Sequence, residues 1–404
     1  MTTRFTTRRS TLGAGAATIA GLAMPAVLRA EPANVKIGLI HPVTGPLAFS
    51  GGQCRAGGQM AIADINAAGG IKSMGGAKLE PLLGDCQLKP ELAGSLVDQF
   101  AEAGASGFTG CFSSSLGLAA TQAAAKYNLP FSIDSGVADS LTARGLTNTF
   151  RLFAPATGCV NGAVDELDGV NKTAGSPVKT AVLVHENSEF GTNTAAILNT
   201  KLPGIGIKVL DTMAHPTPTR DFTNIVLRIK EQKPDLVIIS NYLNEYVLLI
   251  RTLVQQQVPL VAMFSVLGGG FSLKFAREQP EISNYVMDFN QWQNPRAPET
   301  AVFEKRITDA GMQVTYEVFF GYYAIALLAD AFERAGTADK AQVVPALTAS
   351  TYFPKMLPYE PTRFVNGQNQ GARAAGLQIL DKTVKVIWPP EFADAKPVFP
   401  RPKA

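Results

Sequence analysis

The side chains of this chain best suited to acid–base or metal chemistry stand alone. His41, His185 and His215 are its only histidines, and none has a ligand partner at helical metal spacing. Supporting or surface roles are therefore expected of them, not catalysis or metal binding. Cys54, Cys86, Cys111 and Cys159 form neither a C-x-x-C pair nor a Cys/His cluster, so no redox motif or zinc site is expected. Gly45, Gly51 and Gly52 fit neither a phosphate loop nor a dinucleotide fingerprint. No nucleophile–base pair occurs at a recognisable spacing, so the chain does not read as an enzyme and implies no cofactor. What remains is hydrogen bonding. The segment His41–Gly52 and its border carry Thr44, Ser50 and Gln53 among three glycines and two prolines, with no lysine, arginine or acid before Arg55. Hydroxyls and free backbone N–H groups in that setting suit the capture of a small polar ligand.

That segment needs a scaffold, and the flanking sequence supplies one. Ile37, Leu39 and Ile40 form the short apolar run of a strand buried on both faces. An Ala-rich helix follows and stops at Gly69-Gly70. In an open α/β sheet, ligands bind at the carboxyl ends of the strands, which is where this loop emerges. The alternation continues with strands near 79–83, 107–112 and 129–133 and helices near 91–103 and 116–127. Repeated βα units predict a parallel sheet covered by helices on both faces. An extended break at Phe150–Pro155 separates this series from a second one, with strands near 179–185, 207–213, 236–240 and 260–264. Another extended segment near 285–292, two helices near 299–310 and 315–335, and a Pro/Gly-rich tail with short β runs complete the chain. Two α/β lobes with several crossovers are expected, and a cleft between lobes is the natural ligand site.

Its 404 residues suffice for two domains. Arg8-Arg9, the apolar stretch from Leu12 to Met24 and Leu28-Arg29-Ala30 read as a twin-arginine export signal over residues 1–30. Its removal takes four arginines and no acid, turning the formal charge from +3 to −1. A near-neutral mature chain without basic clusters argues against nucleic acid or an anionic membrane as partner. No later apolar run is long enough to span a bilayer. Export to an oxidising compartment makes one or two disulfides plausible for four cysteines.

The chain resembles the type I periplasmic solute-binding proteins, specifically the branched-chain amino-acid binding family of ATP-driven importers. The resemblance is carried, in order, by IGLIHPVTGPLAFSGG and AIADINAAGGI, GDCQLKPELA, GCFSSSLGLAATQAAAKYNLPF, FRLFAPAT, VLVHENSEFGTN, DFTNIVLRIKEQKPDLVI and ISNYLNEYVLLIRTL. It implies an α/β fold of two Rossmann-like lobes joined by three hinge crossovers near Phe153, Met287 and Leu357. The lobes would comprise 31–153 plus 288–356 and 154–287 plus 357–404. Family members hold the ligand carboxylate with a Ser/Thr pair where a helix begins after a strand. Ser113, Ser114 and Ser115 stand there, Ser114 the best match, and the free N–H groups and dipole of a helix N-terminus favour an anion. The plainer alternative makes these serines simple N-caps. At the second carboxylate contact the resemblance places Val137, within Ser135-Gly136-Val137, where the family has a threonine, leaving backbone donors. Of two family tyrosines in the second lobe, one corresponds to Phe190 and the other is retained as Tyr242. Relatives with a disulfide in this neighbourhood make a Cys86–Cys111 pair an expectation.

The stretch from Ser265 to Phe271, where amino-acid binders often carry an acid for the ligand ammonium, has none and offers apolar Val266 and Phe271 instead. A buried ammonium without a counter-charge costs several kcal/mol. Only Glu186, Glu189 or Glu245 could reach in, and each reads more simply as a solvated charge. Phe49, Phe112, Phe190, Tyr242, Phe271, Phe289 and Trp292 fall on cleft loops or the second crossover, where they either sandwich a flat ring or pack the lobe cores. The expectation is a monomeric periplasmic binding subunit that closes over a small carboxylate, aromatic acids among the candidates, and docks on an inner-membrane permease. Alternatives are a branched-chain amino acid or amide as ligand, an exported sensing module, or an exported α/β enzyme.

Overall fold

The structure is a computed structural model that describes residues 32–402, and the expected export signal lies outside them. Among the described residues no helix is long and apolar enough to cross a membrane. The first series runs β1 (Val35–His41), α1 (Ala48–Ala67), β2 (Leu79–Asp85), α2 (Pro90–Glu102), β3 (Gly107–Gly110), α3 (Ser114–Lys126), β4 (Phe131–Ile133), α4 (Ser140–Ala143) and β5 (Thr149–Arg151). The second runs α5 (Ala156–Thr173), β6 (Thr180–Glu186), α6 (Glu189–Lys201), β7 (Lys208–His215), α7 (Thr223–Gln232), β8 (Leu236–Ser240), α8 (Leu243–Gln255), β9 (Ala262–Val266), α9 (Leu273–Glu278), α10 (Pro280–Ser283) and β10 (Met287–Asn290). The chain ends with α11 (Pro298–Asp309), α12 (Tyr316–Ala335), α13 (Lys340–Thr348), β11 (Phe364–Val365), β12 (Gln368–Asn369), β13 (Ala375–Leu380) and β14 (Thr383–Trp388).

These strands form two seven-stranded sheets, ordered β11-β12-β5-β4-β3-β1-β2 and β14-β13-β10-β9-β8-β6-β7. Each is parallel through its βα series and ends in an antiparallel hairpin, the expected two-lobed α/β architecture. In β1, Val35, Ile37, Leu39 and Ile40 are all buried, as a strand covered on both faces requires. Helix α12 covers this sheet and lies close against α1 because both carry glycine at the contact. A Cβ at Gly57 would stand 2.0 Å from the Val318 carbonyl oxygen, and one at Gly321 1.9 Å from that of Cys54. That approach sets the first turns of α12, which opens at Tyr316, against α1.

Two of the crossovers fall later in the chain than expected. Residues 287–290 pair with β9 and β13, so the second crossover follows Asn290 and does not fall at Met287. Residues 364–369 form a hairpin on the edge of the first sheet, where Gln368 pairs with Arg151 and accepts a 2.6 Å hydrogen bond from its Nε. The third crossover therefore lies between Asn369 and Ala375, not near Leu357. Cys86 and Cys111 are both free, buried thiols. They follow β2 and β3, which flank β1 instead of pairing with each other. Both belong to the same core cluster of the first lobe.

Candidate ligand-binding cleft

At the carboxyl ends of both sheets, residues of the two lobes line a narrow cavity of about 30 Å³, room for only one or two water-sized groups in this arrangement of the lobes. The first lobe contributes Phe112, Ser114, Ser135, Val137 and Tyr316, the second Phe190, Tyr242, Leu267 and Gly269, and Asn290 and Gln291 lie where the chain crosses between them. None of these side chains is charged. Four of them belong to helix N-termini: Ser114 opens α3, Phe190 stands in the first turn of α6, Tyr242 caps α8 and Tyr316 opens α12. The partial positive ends of four helices thus meet at one small volume.

The serines are not ordinary caps. Ser113 stands at the N-cap position of α3, yet its side chain makes no capping bond and accepts a 3.1 Å hydrogen bond from the Tyr242 hydroxyl across the cleft. The Ser114 Oγ accepts from the Ala138 N–H at 3.1 Å, tying α3 to the loop after β4. Among the described residues, no backbone carbonyl accepts from the N–H of Gly136 or Val137. Beneath these loops lies the fully buried Asp134. Its Oδ1 accepts from the N–H groups of Phe112 (3.0 Å) and Ser135 (2.6 Å), and its Oδ2 lies 2.8 Å from His41 Nε2. One carboxylate therefore holds both arms of the first-lobe wall. Phe112 and Leu267 have left-handed backbone (φ 63° and 59°), uncommon for side chains of their size and consistent with a wall shaped for a purpose.

The aromatic side chains divide into three groups. Tyr242 packs between Phe112 (5.8 Å) and Phe190 (5.3 Å) on the cavity wall, and burial raises its hydroxyl pKa, keeping it a neutral donor. Phe49 and Phe271 line an adjoining groove and not the enclosed cavity. Phe289 and Trp292 are buried in the second-lobe cores. Val266 is wholly buried in β9 and is likewise not part of the wall. The three acids that might have met a ligand ammonium are engaged elsewhere. Glu186 accepts from Ser188 and from the Gly191 N–H, Glu189 from the Ser140 hydroxyl, and Glu245 from the Thr219 N–H.

Leu267, Gly269, Asn290, Gln291 and Tyr316 also line the cavity, although sequence reasoning did not single them out for it. Asn290 donates to the carboxylate of Asp288 (2.8 Å) and to the Gly268 carbonyl (3.2 Å), and Asp288 accepts from the Gly268 N–H (3.2 Å). Burial pushes the Asp288 pKa up to about 7 against the effect of those donors. Gln291 donates to the Ala154 carbonyl and accepts from the Tyr359 hydroxyl, joining crossover segments. The only sequence signal for Tyr316 was its place at the start of a long apolar helix; nothing local shows that this end meets the cleft. Among the described residues no cluster of metal-ligating side chains occurs.

A family model for periplasmic binding proteins matches residues 34–383. Leu/Ile/Val-binding protein homolog 8 of Brucella abortus is 30% identical over 251 residues, a match that spans 61% of this chain and 61% of that protein, under two thirds of its length. Two solved structures share the fold at low identity. The branched-chain amino acid transporter substrate binding protein LivJ of Streptococcus pneumoniae, in complex with isoleucine, aligns with TM-score 0.76 and 18% identity over 87% of this chain and 97% of that one. A solute binding protein of an ABC transporter from R. palustris, in complex with benzoate, aligns with TM-score 0.77 and 17% identity over 88% and 95%.

Proposed function

The chain belongs to the periplasmic binding protein family, and from that premise we propose that it is the substrate-binding subunit of an ATP-driven importer, taking a small carboxylate with an uncharged body. The observation that carries this reading is the uncharged wall at the meeting of four helix N-termini. Free N–H groups and hydroxyls at such ends stabilise an anion without a lysine or arginine. In this reading Ser114, Ser135 and the N–H groups of Gly136 and Val137 hold the carboxylate, Ser113 braces Tyr242, and Phe112, Phe190 and Tyr242 cover the ligand body. No acid lines the cavity, so an α-ammonium group would be buried without its counter-charge. A fold neighbour carrying benzoate adds weight to a ring-bearing acid. Delivery to the periplasm through the Arg8-Arg9 segment, a monomeric state and docking of the closed form on a membrane permease complete the proposal.

Two ligand pairs that differ only in the ammonium group test it: 4-methylpentanoate against leucine, and 3-phenylpropionate against phenylalanine. Calorimetry and thermal shift should favour the deaminated member of at least one pair by about a hundredfold, equivalent to roughly 2.7 kcal/mol. A ligand at about 100 times its Kd should raise Tm by several degrees. Tighter binding of the amino acid in both pairs, or no stabilisation by either acid, would overturn the reading.

A further inference from the structure

A groove of about 400 Å³ lies between the lobes beside the cavity, and Tyr316 and Gly269 border both spaces. Its walls come from the two lobes: Phe49 on α1, and Val247, Leu248, Phe271 and Phe275 around α8 and α9. The Asn244 side chain donates to the Pro46 carbonyl at 3.3 Å, spanning the lobes near α8's start and just ahead of α1. Phe49 is 38% exposed, an uncovered aromatic ring at the cleft. Tyr316 leans edge-on against Phe320 (5.6 Å, 65°), and Phe320 stacks on Phe153 at the first crossover (3.6 Å), so the dividing ring is backed by fixed packing.

We propose that the groove is a second compartment of the same site and that Tyr316 is the specificity-determining wall between them: the ligand's carboxylate sits in the enclosed cavity and its apolar tail passes the Tyr316 ring onto Phe49 and Phe271. The occupant is thus the tail of the bound acid itself, because Tyr316 and Gly269 border both spaces and a ligand longer than the small cavity meets the groove at that ring. This rests on the carboxylate reading above and extends it to chain length. Each methylene buried in the groove should tighten binding about fourfold.

The test uses the series benzoate, phenylacetate, 3-phenylpropionate and 4-phenylbutyrate, titrated calorimetrically into the wild-type chain, Phe49→Ala and Tyr316→Trp. Wild-type affinity is expected to rise along the series. Phe49→Ala should weaken 4-phenylbutyrate at least fivefold more than benzoate, and Tyr316→Trp, which thickens the wall, should move the optimum to a shorter acid. If benzoate binds and lengthening brings no gain, or if both variants weaken all four acids alike, the second compartment is refuted while the carboxylate reading stands. Failure of the wild-type chain to bind any of the four refutes the second compartment, and failure of 4-methylpentanoate as well refutes both readings.

Discussion

Asp134 touches no part of the cavity, yet the wall depends on it. Its carboxylate accepts from the N–H groups of Phe112 and Ser135 and meets His41, all without solvent. Asp134→Ala would free both loops and leave His41 without its partner. Leaving a buried donor without its acceptor costs about 1–3 kcal/mol, so urea midpoints should fall sharply, and affinity for 4-methylpentanoate should drop at least tenfold. Asp134→Asn keeps an oxygen facing the two N–H groups and should recover most of that affinity; an asparagine variant as weak as the alanine one would show that the arms are not held this way. At this scale the sequence was partly readable. Ser114, Ser135, Val137, Phe190 and Tyr242 all reach the cavity, because each follows a strand at its carboxyl end and that position is visible as the apolar run stops. His41 looked isolated because its partner lies 93 residues away, a distance no local spacing reports.

Helix α5 carries a different kind of burden. Glu166 is fully buried, both its carboxylate oxygens lack a partner, and one of them lies 2.0 Å from where a Cβ on Gly376 of β13 would stand. Burial, reinforced by Asp288, raises its pKa well above the ordinary value of 4.5. The folded chain therefore keeps a proton that the unfolded chain releases above about pH 4.5, and stability falls as pH rises from there. Asp288, pushed up to about 7 from 3.8, acts in the same direction between those values. Glu166→Gln removes one of the two penalties. Calorimetric Tm should differ little from wild type at pH 5 and exceed it by a few degrees at pH 8; an equal shift at both pH values would mean that the ionisation of Glu166 is not what limits stability. The βα alternation that builds these elements was legible from the period and length of the apolar runs. The edge of the first sheet was not, since the β11–β12 hairpin has strands of two residues each and joins the sheet by pairing with the distant β5.

Across the whole molecule the lobes meet in a closed arrangement through a few polar contacts outside the cavity. Ser140 donates to Glu189 at 2.6 Å, the Asp139 N–H to Asn193 at 3.3 Å, and Asn244 to the Pro46 carbonyl at 3.3 Å. At the crossovers, Gln291 donates to the Ala154 carbonyl and Gln368 to the Phe153 carbonyl. If closure is an equilibrium, each bridging contact sets the closed fraction and therefore the apparent affinity, without touching ligand. Glu189→Ala deletes the shortest of these bridges but no cavity wall. A partly exposed hydrogen bond of this kind contributes about 1 kcal/mol, so apparent affinity for the best acid of the panel should fall roughly three- to tenfold. Small-angle scattering should show the free variant with a larger radius of gyration than the free wild type, and the two should converge at saturating ligand. Weaker binding with identical radii in the free proteins would place the effect in the site itself and remove closure as its source.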